Sequence, residues 1–360
     1  MRVIIAGGGT GGHLFPAVAL GEEIKRQRPD SEVLYVGTTA GLEAKWLPQH
    51  GFKCELFDVH GVRGHSLRAR MVATFEFFRA LKLARALMRR FRADLVVGAG
   101  GYASAPMAMT AIVERVPLLL MEQNTTPGLA NRMLWRFARK VCVGFAETAK
   151  LWGKAKVEFT GNPVRFKAEP GAAPSDGKLQ ILVLGGSSGA HRLNLGTVEC
   201  FRNLEKGVIK FVRHQTGAAD EGLVRKGYEE AGVGADVTSF IDDVAHALAQ
   251  ADLVVARAGA MTVSEIALAA RPAIFVPYPF HRDRQQEHNA RVIERLGGAI
   301  VVNDDDHLAE NLARAIGELA ANPARLKEMG ARAGSAAMPD AAERVARACF
   351  AIVDSREARA

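Results

Sequence analysis

The sequence twice runs an apolar, β-branched stretch straight into a glycine-rich turn and then into helical periodicity: RVIIAGGGTGG at residues 2–12 and LQILVLGGSSGA at residues 179–190. Such a unit fits a buried strand whose carboxyl end turns sharply into a helix. EVLYVGT, CELFDV, ADLVVGAGG, PLLLMEQN and KVCVGF follow the first as further strands, with helical patterns at about residues 15–28 and 68–92. IKFVRHQTG, VTSFID, ADLVVARAG, RPAIFVPYP and GAIVVND follow the second. Strands alternating with helices predict an α/β protein built from two Rossmann-like, doubly wound parallel-sheet domains. GNPVRFKAEPGAAPSDGKLQ at residues 161–180 is rich in Pro, Gly and Ala and reads as the linker. The expected domains are residues 1–163 and 164–340, with residues 341–360 a helix packing back on the first. Ligand is expected where the carboxyl ends of the two sheets face an interdomain cleft.

Bulk properties agree. A chain of 360 residues exceeds the roughly 250–300 that one core usually serves. With 48% hydrophobic and 24% charged residues it is neither disordered nor fibrous. Cys54, Cys142, Cys200 and Cys349 lack C-x-x-C spacing, so neither a zinc site nor a disulfide framework is expected, and a reducing cytoplasm fits. No signal peptide and no apolar run long enough to span a membrane is read. The net charge of +8 is uneven. Residues 1–160 hold 23 Lys and Arg against 13 Asp and Glu, the remainder 24 against 26, so the first half is +10 and points to an anionic partner.

The glycine turns carry the chemistry. Gly7, Gly9 and Gly12 satisfy G-x-G-x-x-G, but the second strand ends in Gly37, Thr38 and Thr39 where a nicotinamide site needs a carboxylate for the ribose. The nicotinamide reading falls with it. What survives is physical: bare backbone lets a phosphate or sugar approach, and helix-start amides attract anions. GAGGYASAP at residues 98–106 and GGSSGA at residues 185–190 offer two more such turns. His13 lies at the tip of the first, where the helix field favours neutral imidazole. It serves either as a general base or as a partner to a backbone carbonyl.

In the second half, Thr262-x-x-Glu265 admits two uses. Glu265 caps the Thr262 amide, or its two oxygens accept from adjacent ribose hydroxyls. Gln285 and Gln286, after PYPFHRD, are able to donate to and accept from sugar hydroxyls.

Residues 63–92 carry nine Lys and Arg and one acid, Glu76. Among them Arg68, Arg70, Arg79 and Lys82 interleave with Phe75, Phe77 and Phe78, a pattern that suits a helix lying in a headgroup layer. The later half also suits a core-facing helix with a solvated basic side. No recognised nucleic-acid motif accompanies the charge.

GGTGGH at 8–13, GGYASAP at 100–106, EQN at 122–124, GNPVR at 161–165, GGSSGA at 185–190, GAMTVSEIALAARPAIFVPYP at 259–279 and DRQQ..NA at 283–290 resemble, in order and across nearly the whole chain, the MurG family of bacterial peptidoglycan glycosyltransferases. The resemblance implies a GT-B fold and inverting transfer of GlcNAc from UDP-GlcNAc to the 4-hydroxyl of lipid I, giving lipid II and UDP. It implies no nicotinamide, and with no carboxylates at metal-binding spacing and helix amino ends able to hold the leaving diphosphate, neither a cofactor nor a metal is expected. It also implies a peripheral enzyme on the cytoplasmic face of the membrane, an anionic lipid surface as partner and other cell-wall enzymes nearby. On it, Thr10, Gly11 and Gly12 belong to the donor site and His13 is the base. Asn124, Arg165 and Ser187 are donor-binding, with Ser187 at the diphosphate. Ile241 meets the uracil through its backbone. Ala260, Met261, Thr262, Val263 and Ser264 line the nucleotide-sugar, Glu265 takes the ribose, and Gln285 and Gln286 read GlcNAc hydroxyls. Met121 before EQN and Ser188 in GGSSGA depart from the histidine and glutamine frequent in the family. A UDP-GlcNAc 2-epimerase on the same architecture and a basic binding module are the competing functions.

Overall fold

The computed structural model describes residues 1–58, 67–152, 156–167, 178–186 and 189–358; the side chains of residues 67–74 and 357 are likewise outside the description. Two compact units emerge: Met1–Arg165 with Asp340–Ala360, and Phe166–Pro339.

In the first unit, β1 (Arg2–Ala6), β2 (Glu32–Thr38), β3 (Cys54–Phe57), β4 (Leu95–Gly98), β5 (Leu118–Glu122), β6 (Lys140–Val143) and β7 (Val157–Phe159) form one sheet in the order β3-β2-β1-β4-β5-β6-β7. Every pairing is parallel. A parallel sheet is covered on both faces, so its strands read as unbroken apolar runs. In β1, Val3 and Ile5 enter one core with Leu14, Val18 and Ile24 of the helix Gly11–Gln27. Ile4 and Ala6 point the other way, into a core with Ala80, Ala84, Leu87 and Met88 of the helix Leu67–Phe91 and Met107 and Ala111 of the helix Ser104–Val113. This is the period-2 alternation of a strand.

The helix Ala341–Glu357 belongs to this unit. Val345, Ala346, Cys349, Phe350 and Val353 are buried in the same core as Val3 and Ile5. Burying each of Val345, Phe350 and Val353 is worth roughly 1.5–3 kcal/mol. Arg28 adds a bidentate pair with Asp354 (2.7 and 2.9 Å) and stacks on Phe350.

In the second unit, β8 (Leu179–Leu184), β9 (Ile209–Gln215), β10 (Ala235–Thr238), β11 (Leu253–Ala256), β12 (Ala273–Phe275) and β13 (Ala299–Val301) take the order β10-β9-β8-β11-β12-β13. Again all pairings are parallel. Leu179, Ile181 and Val183 pack with Leu193, Val198 and Phe201 of the helix His191–Asn203 and with Leu312, Ile316 and Leu319 of the helix Leu308–Ala320. Both orders reverse beside the first strand of the unit, between β1 and β4 and between β8 and β11. Open α/β sheets bind ligands at such a reversal, outside the strand carboxyl ends.

Two details differ from the sequence reading. The first helix begins at Gly11, not Phe15, because Gly11 and Gly12 take helical conformation and Pro16 sits inside the helix, removing only its own N–H from the ladder. β7 was not expected, being a three-residue edge strand. The four cysteines are free, and burial pushes the Cys142 and Cys200 thiols up to about 12.

Candidate functional site

In the first unit the turn after β1 and the turn after β4 pack backbone to backbone. Ala99 N–H donates to the Ala6 carbonyl at 2.7 Å. A Cβ on Gly101 (φ +80°) would collide with the Gly8 carbonyl, so only glycine permits the approach. Gly100 does the same for His13: a Cβ there would stand 2.5 Å from the ring Nδ1. His13 is the third residue of the helix that Thr10 opens, half-buried, with its imidazole laid over this second turn. Nδ1 is buried without a hydrogen-bond partner among the described residues.

A carboxylate does lie beyond the second strand, at the start of the helix Glu43–Gln49. Glu43, five residues beyond Thr38, is fully buried, and its carboxylate accepts from Thr38 N–H (2.7 Å), the Thr38 hydroxyl (2.9 Å) and Gly9 N–H (2.8 and 3.0 Å). Its oxygens are held by the glycine turn, not presented to a ribose. The signal was in the sequence, an acid flanked by Gly37 and Gly41, but beyond the strand end where such a residue was sought.

The strand ends next to this turn are tied together. Gln123 donates to the Ala99 carbonyl (3.0 Å) and Asn162 to the Gln123 carbonyl (3.0 Å). Asn124 follows, its N–H donating to buried Glu122 (3.0 Å), which also accepts from Gly128 N–H and Asn131. Met121 is core. Arg165 stacks over Phe15 (4.2 Å) and Trp46 (5.3 Å). Burial raises the Glu22 carboxyl above 4.5, an effect the nearby Arg165 cation partly offsets.

In the second unit the same arrangement recurs. Arg257 N–H donates to the Leu184 carbonyl (3.1 Å), as Ala99 does to Ala6. Gly189 (φ +77°) lies close against the Thr216 carbonyl and Gly217. Ser187 and Ser188 lie outside the described residues. Ile241 is buried and its N–H donates to the Gln215 side chain (3.0 Å). Gly259 caps the helix Ala260–Leu268, whose Ser264 hydroxyl turns back on the Ala260 carbonyl.

The capping-box reading of Thr262 and Glu265 is wrong. Because Gly259 is the cap, Thr262 is the third helical residue and Glu265 the sixth, beyond reach of an N-terminal amide. Gln285 opens the helix Gln285–Arg295, and Gln286 accepts from Tyr278 N–H (2.9 Å). Met261 and Val263 are buried beside half-buried Thr262 and Glu265. Sequence reasoning missed Arg257, whose buried guanidinium donates to Asp304 (2.7 Å) and to the Val276 and Pro277 carbonyls, fixing the loop that leads to Tyr278. No spacing in the sequence joins residues 257 and 304.

Among the described residues, none of the helices opening at Gly11, His191 and Ala260 has a side-chain cap or a first-turn acid. Asp243 and Asn322 do cap theirs. Uncapped amides at a helix start accept an anion readily. Among the described residues no three His, Cys, Asp or Glu side chains gather as metal ligands.

The glycosyltransferase family 28 N-terminal domain matches residues 3–143, and its C-terminal domain matches residues 180–345. A UDP-N-acetylglucosamine--N-acetylmuramyl-(pentapeptide) pyrophosphoryl-undecaprenol N-acetylglucosamine transferase of Anaeromyxobacter dehalogenans is 40% identical over 99% of this chain and 94% of its own. The crystal structure of Acinetobacter baumannii MurG is 31% identical with a TM-score of 0.77, covering 96% of this chain and 98% of its own. A putative UDP-N-acetylglucosamine 2-epimerase from Listeria monocytogenes superposes with a TM-score of 0.70 over 100% of this chain and 97% of its own, at 14% identity, a likeness of fold alone. Two parallel sheets with paired glycine turns, matched along their length by these relatives, place the chain in the MurG family of GT-B glycosyltransferases.

Proposed function

We infer that this protein transfers GlcNAc from UDP-GlcNAc to the MurNAc 4-hydroxyl of undecaprenyl-diphosphate-MurNAc-pentapeptide, producing lipid II and UDP. The observation that carries the reading is full-length 40% identity to a relative named for that reaction.

In this reading the first unit holds the acceptor and the second most of the donor. Nε2 of His13 takes the proton of the 4-hydroxyl as that oxygen attacks the anomeric carbon of GlcNAc. The new C–O bond forms on one face, the bond to the diphosphate oxygen breaks on the other with its electron pair, and UDP leaves with inversion at carbon. The amides of Ala260, Met261 and Thr262, with Ser187, stabilise the growing diphosphate charge, the kind of preorganised donor that a departing anion requires. Val263 and Ser264 line the same helix start. Glu265 accepts from the ribose hydroxyls. Because Gln215 already engages the N–H of Ile241, uracil is read through the Ile241 carbonyl or displaces Gln215. Gln286 spends its carbonyl on Tyr278, so its NH2 faces sugar oxygens, and Gln285 reads the GlcNAc hydroxyls beside it. Thr10, Gly11, Gly12, Asn124 and Arg165 complete the substrate contacts.

The protein works as a peripheral enzyme on an anionic cytoplasmic membrane surface. Phe75 and Phe78 are 72% and 59% exposed, with half-buried Phe77, on a helix that also presents Arg79 and Lys82. Arg68 and Arg70 of that helix have side chains outside the described residues. No described helix is long and apolar enough to cross a membrane. Incubation with UDP-GlcNAc and a lipid I analogue tests the function: UDP release must require the acceptor.

A further inference from the structure

Glu43 has no part in the chemistry above, yet it is a fully buried ionisable group of the first unit. It is 0% exposed, and a buried carboxylate costs several kcal/mol unless its lone pairs are met. Here they are met by backbone N–H groups of Thr38 and Gly9 and by the Thr38 hydroxyl, all within 3.0 Å. Three glycines make the room: a Cβ on Gly8, Gly37 or Gly41 would overlap the Glu43 side chain. Gly9 itself is held at φ +94°, and it is followed at once by Thr10 and the helix bearing His13. The turn cannot shift without breaking the bonds to Glu43. Nor can His13 turn toward the neighbouring loop, since Gly100 already lies against its ring.

We propose that Glu43 is a positioning residue: a buried carboxylate that clamps the first glycine turn and so fixes where His13 stands against the second. It touches neither substrate and acts through Gly9. The proposal rests on reading His13 as the base, so its test needs one readout that does not depend on turnover.

Glu43→Gln keeps the shape but puts an amide donor against the N–H of Gly9. Hydrogen exchange of peptides covering residues 7–13 should quicken at least 10-fold in this variant, while exchange at residues 179–186 stays unchanged. On the same preparation kcat should fall roughly 10–100-fold with KM for UDP-GlcNAc within 2-fold, because residues 260–265, Gln285 and Gln286 of the other unit carry most of the donor contacts. In a His13→Ala background Glu43→Gln should change kcat by less than 2-fold, the non-additivity of residues acting as one unit. A merely structural residue would lower both backgrounds alike. Thr38→Val, which removes one donor to the same carboxylate, should give a smaller effect in the same direction and serves if Glu43→Gln does not fold. Unchanged exchange at residues 7–13 overturns the clamp whether or not the wild-type protein transfers sugar. Quickened exchange with wild-type kcat, or an equal loss in both backgrounds, overturns the link to His13. Absence of transfer by the wild-type protein overturns the reading of His13 instead.

Discussion

His13 reaches the second glycine turn only because Gly100 has no side chain, and it is held there by a turn whose own glycines make room for Glu43. These are two different reasons for the same residue type. Replacing His13 by Ala should lower kcat by about 10²–10⁴-fold, the usual contribution of a general base. UDP-GlcNAc affinity, measured by calorimetry, should remain within 2-fold because residues 260–265, Gln285 and Gln286 of the other unit carry most of the donor contacts; unaltered kcat removes His13 as the base. His13 was legible because the motif points at it. Glu43 was not, since sequence does not say which way a side chain leaves the short helix Glu43–Gln49. The Thr262 and Glu265 misreading has a related cause. The spacing T-x-x-E recurs inside helices, and only the helix start, here Gly259, distinguishes a cap from an interior pair.

Among the elements, the helix Leu67–Phe91 divides along its length. Ala80, Ala84, Leu87 and Met88 pack on the sheet, and Arg85 and Arg89 pair with Glu114, so the later half is a core-facing helix with a solvated basic side. Phe75 and Phe78 contribute little to that packing. Changing both to Ser should weaken sedimentation with vesicles containing anionic lipid by about 10-fold or more, given roughly 1.5–3 kcal/mol per buried aromatic side chain. Thermal stability should barely move, since surface changes usually fall within about 0.5 kcal/mol. Equal vesicle binding by the variant would refute the docking face. Strands were legible wherever parallel neighbours bury both faces and leave a continuous apolar run. β7 escaped because three residues at a sheet edge carry no pattern to read.

At the scale of the molecule, two sheets of like order each bring two glycine turns to a reversal point, and that much followed from the repeated strand-turn-helix unit. What composition did not reveal is the polar core of the second unit. His214 is fully buried, bonded to Asn194 Oδ1 (3.1 Å) and to the Tyr228 hydroxyl (2.7 Å), while Asn194 donates to Asp220 and to the Thr216 carbonyl. This network fixes the first turn of the helix His191–Asn203. Burial pushes the His214 pKa down from 6.5 to about 3, an effect that nearby Asp220 partly opposes. The unfolded chain therefore takes up a proton first as pH falls. The stability tied to His214 is fully present above pH 6.5 and is lost on going toward pH 3, by about 1.4 kcal/mol per pH unit. Slowly exchanging amides of β9 should report this between pH 6 and 5, and His214→Gln should remove that slope; an unchanged slope would show that His214 is not its source.

The central claim is transfer to a lipid-linked acceptor, and acceptor dependence is its most direct measure. With UDP-GlcNAc and a lipid I analogue, the account predicts one UDP and one disaccharide-bearing lipid per turnover, and no change in UDP-GlcNAc when the acceptor is left out. Conversion of UDP-GlcNAc without acceptor, or no transfer with both substrates shown to be bound, would contradict it.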